Sequence, residues 1–190
     1  MWPNVLTLIR LALVPFILWL ATASEPEMVA GGLGLFLIAG ITDWLDGYLA
    51  HRWDQVTPFG TLMDPLVDKV LILSLLIVFA HMGLFPLWIA LVHLFREMLV
   101  SGVRRIKALQ GELVGANWMG KTKFMLQIAL IIGIFIWLVL RAAGRVSPDT
   151  SWIYVGAVAV TTVSVGFGLV FFLRHARDLF TSPEAEGKQG

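Results

Sequence analysis

Four aspartates stand where aspartate is costly. Asp43 and Asp46 close one long apolar stretch, and Asp64 and Asp68 open the next. Carboxylates in such segments usually face a cavity or the bundle interior. A spacing of three in the first pair and four in the second puts each pair on one helical face. The segment between them is short, so the two helices are expected to be antiparallel neighbours whose pairs converge at one depth. Four ionised carboxylates repel one another unless positive charge sits between them, and an all-oxygen cluster favours Mg²⁺ or Mn²⁺ over zinc. Two such ions about 4 Å apart can clamp a phosphoryl group and stabilise its attacking and leaving oxygens. The plainer alternative makes these aspartates helix-end caps or partners of Lys69 and Arg52. Two spaced pairs bracketing one turn weigh against it. Gly47 follows Asp46, and Gly60 lies four residues before Asp64. Missing side chains there let a backbone or ligand approach closely, although either glycine alone would read as a packing glycine.

The elements that must carry these residues are apolar. Of 190 residues 58% are hydrophobic and 14% charged, and the mean hydropathy is +0.82. Globular chains average about 45–50% apolar and about 25% charged, so the membrane class is favoured. Six segments have the roughly 20 mostly apolar residues of a spanning helix, at about 5–23, 29–50, 60–82, 85–105, 121–141 and 152–175. Turn chemistry separates them at Ser24–Glu27, 52–58, Met82-Gly83 with Pro86, and Gly144–Asp149. With an even span count both termini share one side. Of the fourteen lysines and arginines only Arg141 and Arg145 then fall on the other, which makes the termini cytoplasmic. A cleaved leader is not expected, because the first apolar run lacks a basic flank and further spans follow. Residues 1–180 read as one all-helical membrane domain without internal repeat, and 181–190 as a disordered polar tail. A net charge of +1 implies no nucleic-acid partner, and the absence of cysteine excludes disulfides and thiolate metal sites.

From Asp43-Trp44-Leu45-Asp46-Gly47 through Ala50-His51 to Gly60 and Asp64-Pro65-Leu66-Val67-Asp68, the chain resembles the signature of the CDP-alcohol phosphotransferase family, D-x2-D-G-x2-A-R-x8-G-x3-D-x3-D. Every spacing is intact and one identity differs. Pro3-Asn4, Thr7 and Arg10 resemble the family's N-terminal segment. Arg96–Arg104 and Gly120–Lys123 resemble its bacterial branch that makes phosphatidylglycerophosphate. The resemblance implies an all-α integral membrane fold of six transmembrane helices around a cytoplasm-facing polar cavity, often a homodimer, in the bacterial inner membrane. It implies transfer of a phosphatidyl group from CDP-diacylglycerol to sn-glycerol 3-phosphate, with CMP leaving. By the same likeness Asp43, Asp46, Asp64 and Asp68 form the metal site, with two Mg²⁺ or Mn²⁺ ions, and Asp68 is also the general base. Asn4, Thr7, Asp46, Gly47, Ala50, His51 and Gly60 are then expected at the CDP-diacylglycerol. The departure is His51, where the family carries arginine. His51 could donate a hydrogen bond adequately, Arg52 could reach round from about 100° away on a helix, or the donor could be held more weakly.

An acceptor phosphate needs cations. Arg104, Lys121 and Arg96 are the candidates, since arginine binds phosphate in a bidentate way and lysine acts as a point charge. Topology alone also places basic residues at cytoplasmic span ends, and Arg105, Lys107 and Lys123 are read that way. Arg96 could instead pair structurally with Glu97. His93 reads as a packed, hydrogen-bonded histidine, His81 and His175 as interfacial, and Trp2, Trp53, Trp88, Trp118 and Trp152 as an aromatic belt. Asn4 and Thr7 alone would read as an N-terminal cap. The nearest competing function is a sister enzyme with inositol phosphate or serine as acceptor. A cation transporter is the alternative of another class, since intramembrane aspartates also mark ion pathways, but no repeat accompanies them here. The cost of four buried carboxylates argues against a purely structural protein.

Overall fold

The computed structural model describes residues 2–52, 58–110 and 118–180; at 2–6, 43–52, 58–65, 109 and 176–180 it describes the backbone alone. The tail at 181–190 lies outside the described residues. Six helices follow in order: α1 Trp2–Ala21, α2 Pro26–Arg52, α3 Pro58–His81, α4 Leu87–Leu109, α5 Trp118–Ala142 and α6 Ser151–Phe180. Each of the six apolar segments becomes one helix, and all regular structure among the described residues is helical.

Local chemistry sets the ends. α2 and α3 both begin on proline, whose fixed φ suits a first helical position and whose missing amide hydrogen costs nothing there. At the start of α2 the Glu25 carbonyl accepts from the amides of Met28 and Val29. α3 and α5 end in the same left-handed turn. Gly83 (φ 77°) and Gly144 (φ 66°) adopt the conformation that a Cβ disfavours. The next amides, of Leu84 and Arg145, reach back to the Phe79 and Leu140 carbonyls at 3.1 and 2.9 Å. Before α6, Asp149 Oδ1 accepts from the Ser151 hydroxyl and amide, which hold the Asp149 carboxyl below the usual carboxylate range.

α1 packs against α2 and α3, α5 against α2 and α6, and α4 against α3 and α6. The main core gathers Ile17, Leu75, Phe79, Ile131, Ile134 and Phe135. Phe135 stacks on Phe36 at 6.1 Å and meets Phe79 edge-on at 5.6 Å. Gly32 permits the α1–α2 approach, because a Cβ there would stand 3.0 Å from Leu20 Cβ. A smaller cluster of Val100, Val103 and Phe171 joins α4 to α6. The outside is apolar as well, with Trp19, Phe95, Met98, Val155 and Leu173 all exposed. Among the described residues two helices, α5 and Ser151–His175 of α6, are long and apolar enough to cross a membrane.

Candidate active site

Between α3, α4 and α5 lies a cavity of about 300 Å³. Helical spacing of three and four builds its walls. Glu97, Ser101 and Arg104 line up along one face of α4, and Gly120, Lys123 and Gln127 along one face of α5. α3 contributes Asp68 and Lys69. Among the described residues five cations border the space (Lys69, Arg96, Arg104, Lys121 and Lys123) against two carboxylates, Asp68 and Glu97. Such a wall attracts an anion.

Asp68 is partly buried, and α1 supplies one partner. Arg10, only 3% exposed, donates from Nη1 to Asp68 Oδ1 at 3.2 Å. Thr7 lies almost one turn earlier on α1 and is also buried. Asn4 and Thr7 sit inside α1, not ahead of it, so the capping alternative does not hold.

The other three aspartates are placed by their helices, and their side chains lie outside the described residues. Asp43 and Asp46 belong to α2 and Asp64 to α3. None stands at a helix end, so the end-cap alternative fails for them too. Asp46 precedes the end of α2 by six residues, and Asp64 follows the start of α3 by six. Each is therefore roughly 9 Å along its helix from the connecting segment, while Asp43 and Asp68 are roughly 14–15 Å from it. Counted along the chain, the two pairs are about equally far from the connecting segment. Their donor set, all carboxylate oxygen, fits a hard divalent cation. Lys69 donates to Ser101 Oγ at 2.6 Å. Among the expected donor-binding residues, Asn4, Gly47, Ala50, His51 and Gly60 are likewise described by their backbone alone.

Of the expected acceptor residues, Arg104 and Lys121 border the cavity, and Arg96 does so while tied into an ion cluster. Arg96 Nη1 donates to Glu97 Oε1 at 2.7 Å, and Lys123 Nζ donates to the same oxygen. Lys123 is therefore not a surface topology signal: it is a buried partner of Glu97. Lys107 is buried as well, whereas Arg105 is exposed. Arg96 Nε also donates to the Ser164 carbonyl at 3.2 Å. Gly168 makes room for this approach, because a Cβ there would fall 2.9 Å from Arg96 Cγ. Gly168→Ala is expected to push Arg96 off α6 and cost about 1–3 kcal/mol. Thermal unfolding in detergent measures it, and unchanged stability would contradict the contact. Arg104 lies over the Phe171 ring at 5.4 Å, and its Nε has no hydrogen-bond partner among the described residues.

Below this cluster runs a neutral polar chain. His93 is fully packed, as its sequence position suggested, between Gln127 and Thr161, each at 3.0 Å. Gln127 and Thr161 went unnoticed in the sequence, although polar side chains in apolar helices were the available signal. His175 Nδ1 lies 2.8 Å from the Phe171 carbonyl, and His81 is exposed at the end of α3.

A profile of the CDP-alcohol phosphatidyltransferase family matches residues 1–167. The chain belongs to this family. Among curated relatives, the Bacillus subtilis CDP-diacylglycerol–glycerol-3-phosphate 3-phosphatidyltransferase is 38% identical over 146 residues, covering 70% of this chain and 76% of its own length. A Mycobacterium tuberculosis protein named "Probable phosphatidylglycerophosphate synthase" is 34% identical over 179 residues, 93% of this chain and 82% of its own. A Streptomyces coelicolor cardiolipin synthase (CMP-forming) is 41% identical over a shorter stretch, 52% of this chain and 47% of its own length. The family signature covers α2 and α3, where the four aspartates lie, and the described cavity continues from Asp68 onto α4 and α5.

Proposed function

We propose that this chain transfers the phosphatidyl group of CDP-diacylglycerol to sn-glycerol 3-phosphate, releasing CMP and forming phosphatidylglycerophosphate. The names of the relatives that match most of the chain support the donor and acceptor. The observation that carries the reading onto this chain is that Asp68 shares one cavity with Arg104 and Lys121. A proton acceptor and an anion site then sit side by side, as a phosphorylated alcohol requires.

The acceptor hydroxyl attacks the β-phosphorus, which bears the diacylglycerol. Its oxygen–phosphorus bond forms while the bond to the bridging diphosphate oxygen breaks, and CMP departs with that electron pair. Asp68 receives the hydroxyl proton. Arg10 fixes the carboxylate by holding Oδ1. Arg104 and Lys121 hold the acceptor phosphate. Asp43, Asp46, Asp64 and Asp68 would hold divalent metal, Mg²⁺ or Mn²⁺, which when bound neutralises charge on the diphosphate and the departing CMP. Asn4, Thr7, Gly47, Ala50, His51 and Gly60 line the donor's side, with His51 in the place of the family arginine.

In this account all six helices cross the bacterial cytoplasmic membrane, with both termini and the cavity facing the cytoplasm. The apolar exterior supports it, as does the near-absence of basic residues between α5 and α6 compared with the cavity side. Exposed Trp88, Trp118 and Trp152 at the starts of α4, α5 and α6 suit the interface. A homodimer rests on likeness to the family.

The test is CMP release by purified protein from CDP-diacylglycerol in the presence of Mg²⁺ and different alcohols. Arg104→Ala is expected to raise the KM for glycerol 3-phosphate about ten- to a hundredfold, the worth of hydrogen bonds to a charged group. An unchanged KM would move the phosphate elsewhere.

A further inference from the structure

Among the described residues two atoms of the cavity lining are buried without a hydrogen-bond partner, and they are of opposite kind. Arg104 Nε is a donor and Gln127 Oε1 an acceptor. Leaving such an acceptor unpaired is costly, because its desolvation is not repaid.

The orientation of Gln127 follows from the chain beneath it. Thr161 gives its single hydroxyl proton to the Ala157 carbonyl at 2.7 Å. His93 Nε2 must then donate to Thr161 Oγ1 at 3.0 Å. In a neutral imidazole the other nitrogen carries no proton. His93 Nδ1 therefore accepts, and the group 3.0 Å away is the Gln127 amide nitrogen. The amide is fixed with its nitrogen toward His93, leaving Oε1 as the acceptor to be satisfied. Gln127 is 1% exposed, so bulk water does not serve it.

Position adds a direction. Gln127 lies four residues beyond Lys123 along α5, roughly 6 Å deeper than the cation cluster. Arg104 and Lys121 lie at the end of the cavity nearer the α4–α5 connection, and Gln127, whose Oε1 is the acceptor without a partner among the described residues, lies toward the other end. The unmatched atoms thus call for a ligand with an anion at one end and a hydroxyl at the other. An amino-acid alcohol could also donate to Oε1, but among the described residues its ammonium would enter a cavity with five cations and two carboxylates.

Resting on the function proposed above, we infer that Gln127 determines acceptor specificity by accepting a hydrogen bond from the non-reacting C2 hydroxyl of the glycerol phosphate. His93 and Thr161 are positioning residues that act through Gln127.

The experiment compares glycerol 3-phosphate with 3-hydroxypropyl phosphate, which lacks only that hydroxyl. Wild type is expected to prefer glycerol 3-phosphate by about ten- to a hundredfold in kcat/KM. Gln127→Met should lower kcat/KM for glycerol 3-phosphate, leave the deoxy analogue nearly unaffected, and so collapse the preference. Gln127→Asn keeps an amide in the bundle but withdraws its oxygen by one methylene, and should collapse it likewise if the Met variant does not accumulate. Because the readout is a ratio within one preparation, partial folding cancels. A preference that survives in whichever variant is active, or one absent from wild type, overturns the inference. A wild-type enzyme that releases no CMP with glycerol 3-phosphate would instead overturn the function on which it rests.

Discussion

Asp68→Asn is expected to leave a folded, membrane-inserted protein whose kcat is lower by about 10²–10⁴-fold, the usual contribution of a general base. Asparagine is isosteric and keeps an oxygen for Arg10 Nη1, which in the native protein donates to Asp68 Oδ1 at 3.2 Å. The α1–α3 contact should therefore persist, and Asp43, Asp46 and Asp64 would still hold metal, so the KM for CDP-diacylglycerol should change far less than kcat. What is lost is the ability to take a proton. Near-normal turnover in steady-state CMP release would remove Asp68 from the base role, even with the rest of the site intact.

Glu97→Gln should have the largest effect on stability. Glu97 Oε1 receives both Arg96 Nη1 and Lys123 Nζ, and all three side chains are largely buried, at 12%, 13% and 7% exposed for Arg96, Glu97 and Lys123. Removing one partner of a buried pair strands the remaining charge and typically costs 3–5 kcal/mol. Here two cations lose their shared carboxylate. The variant should melt well below wild type in detergent and accumulate poorly in the membrane. Replacing Lys123 with Met in the same chain should recover much of the loss, because removing both members of a buried pair is often close to neutral. A single variant as stable as wild type would mean that the cluster is solvated and structurally idle.

These two residues also mark what the sequence could disclose. The four aspartates stand out in the sequence because charge in an apolar helix is costly and their spacing brackets one turn, and of the four the structure describes the side chain of Asp68. Helix number and ends were legible from apolar run length, from Pro26 and Pro58 at helix starts, and from Gly83 and Gly144 just past helix ends. The partners were not. Arg10 lies 58 residues from Asp68, Lys123 lies 26 from Glu97, and His93 lies 68 from Thr161. Helices that are apolar on every side give little periodicity to say which face turns inward, so pairing across the bundle is a tertiary fact. Lys123 was misread for a related reason. A lysine near the cytoplasmic end of a span is what charge bias alone predicts. The missed clue was Glu97, a carboxylate within a span that needs a cation. Gln127 was passed over because amides carry no charge, although burial makes their orientation as demanding as that of an ion.

The most direct test of the whole account supplies the purified protein with CDP-diacylglycerol, Mg²⁺ and labelled sn-glycerol 3-phosphate, and follows CMP in water and label in lipid together. The account predicts equal amounts of each, with phosphatidylglycerophosphate as the lipid and little product from serine or inositol phosphate. No CMP with any acceptor, or product formed only with another alcohol, would contradict it.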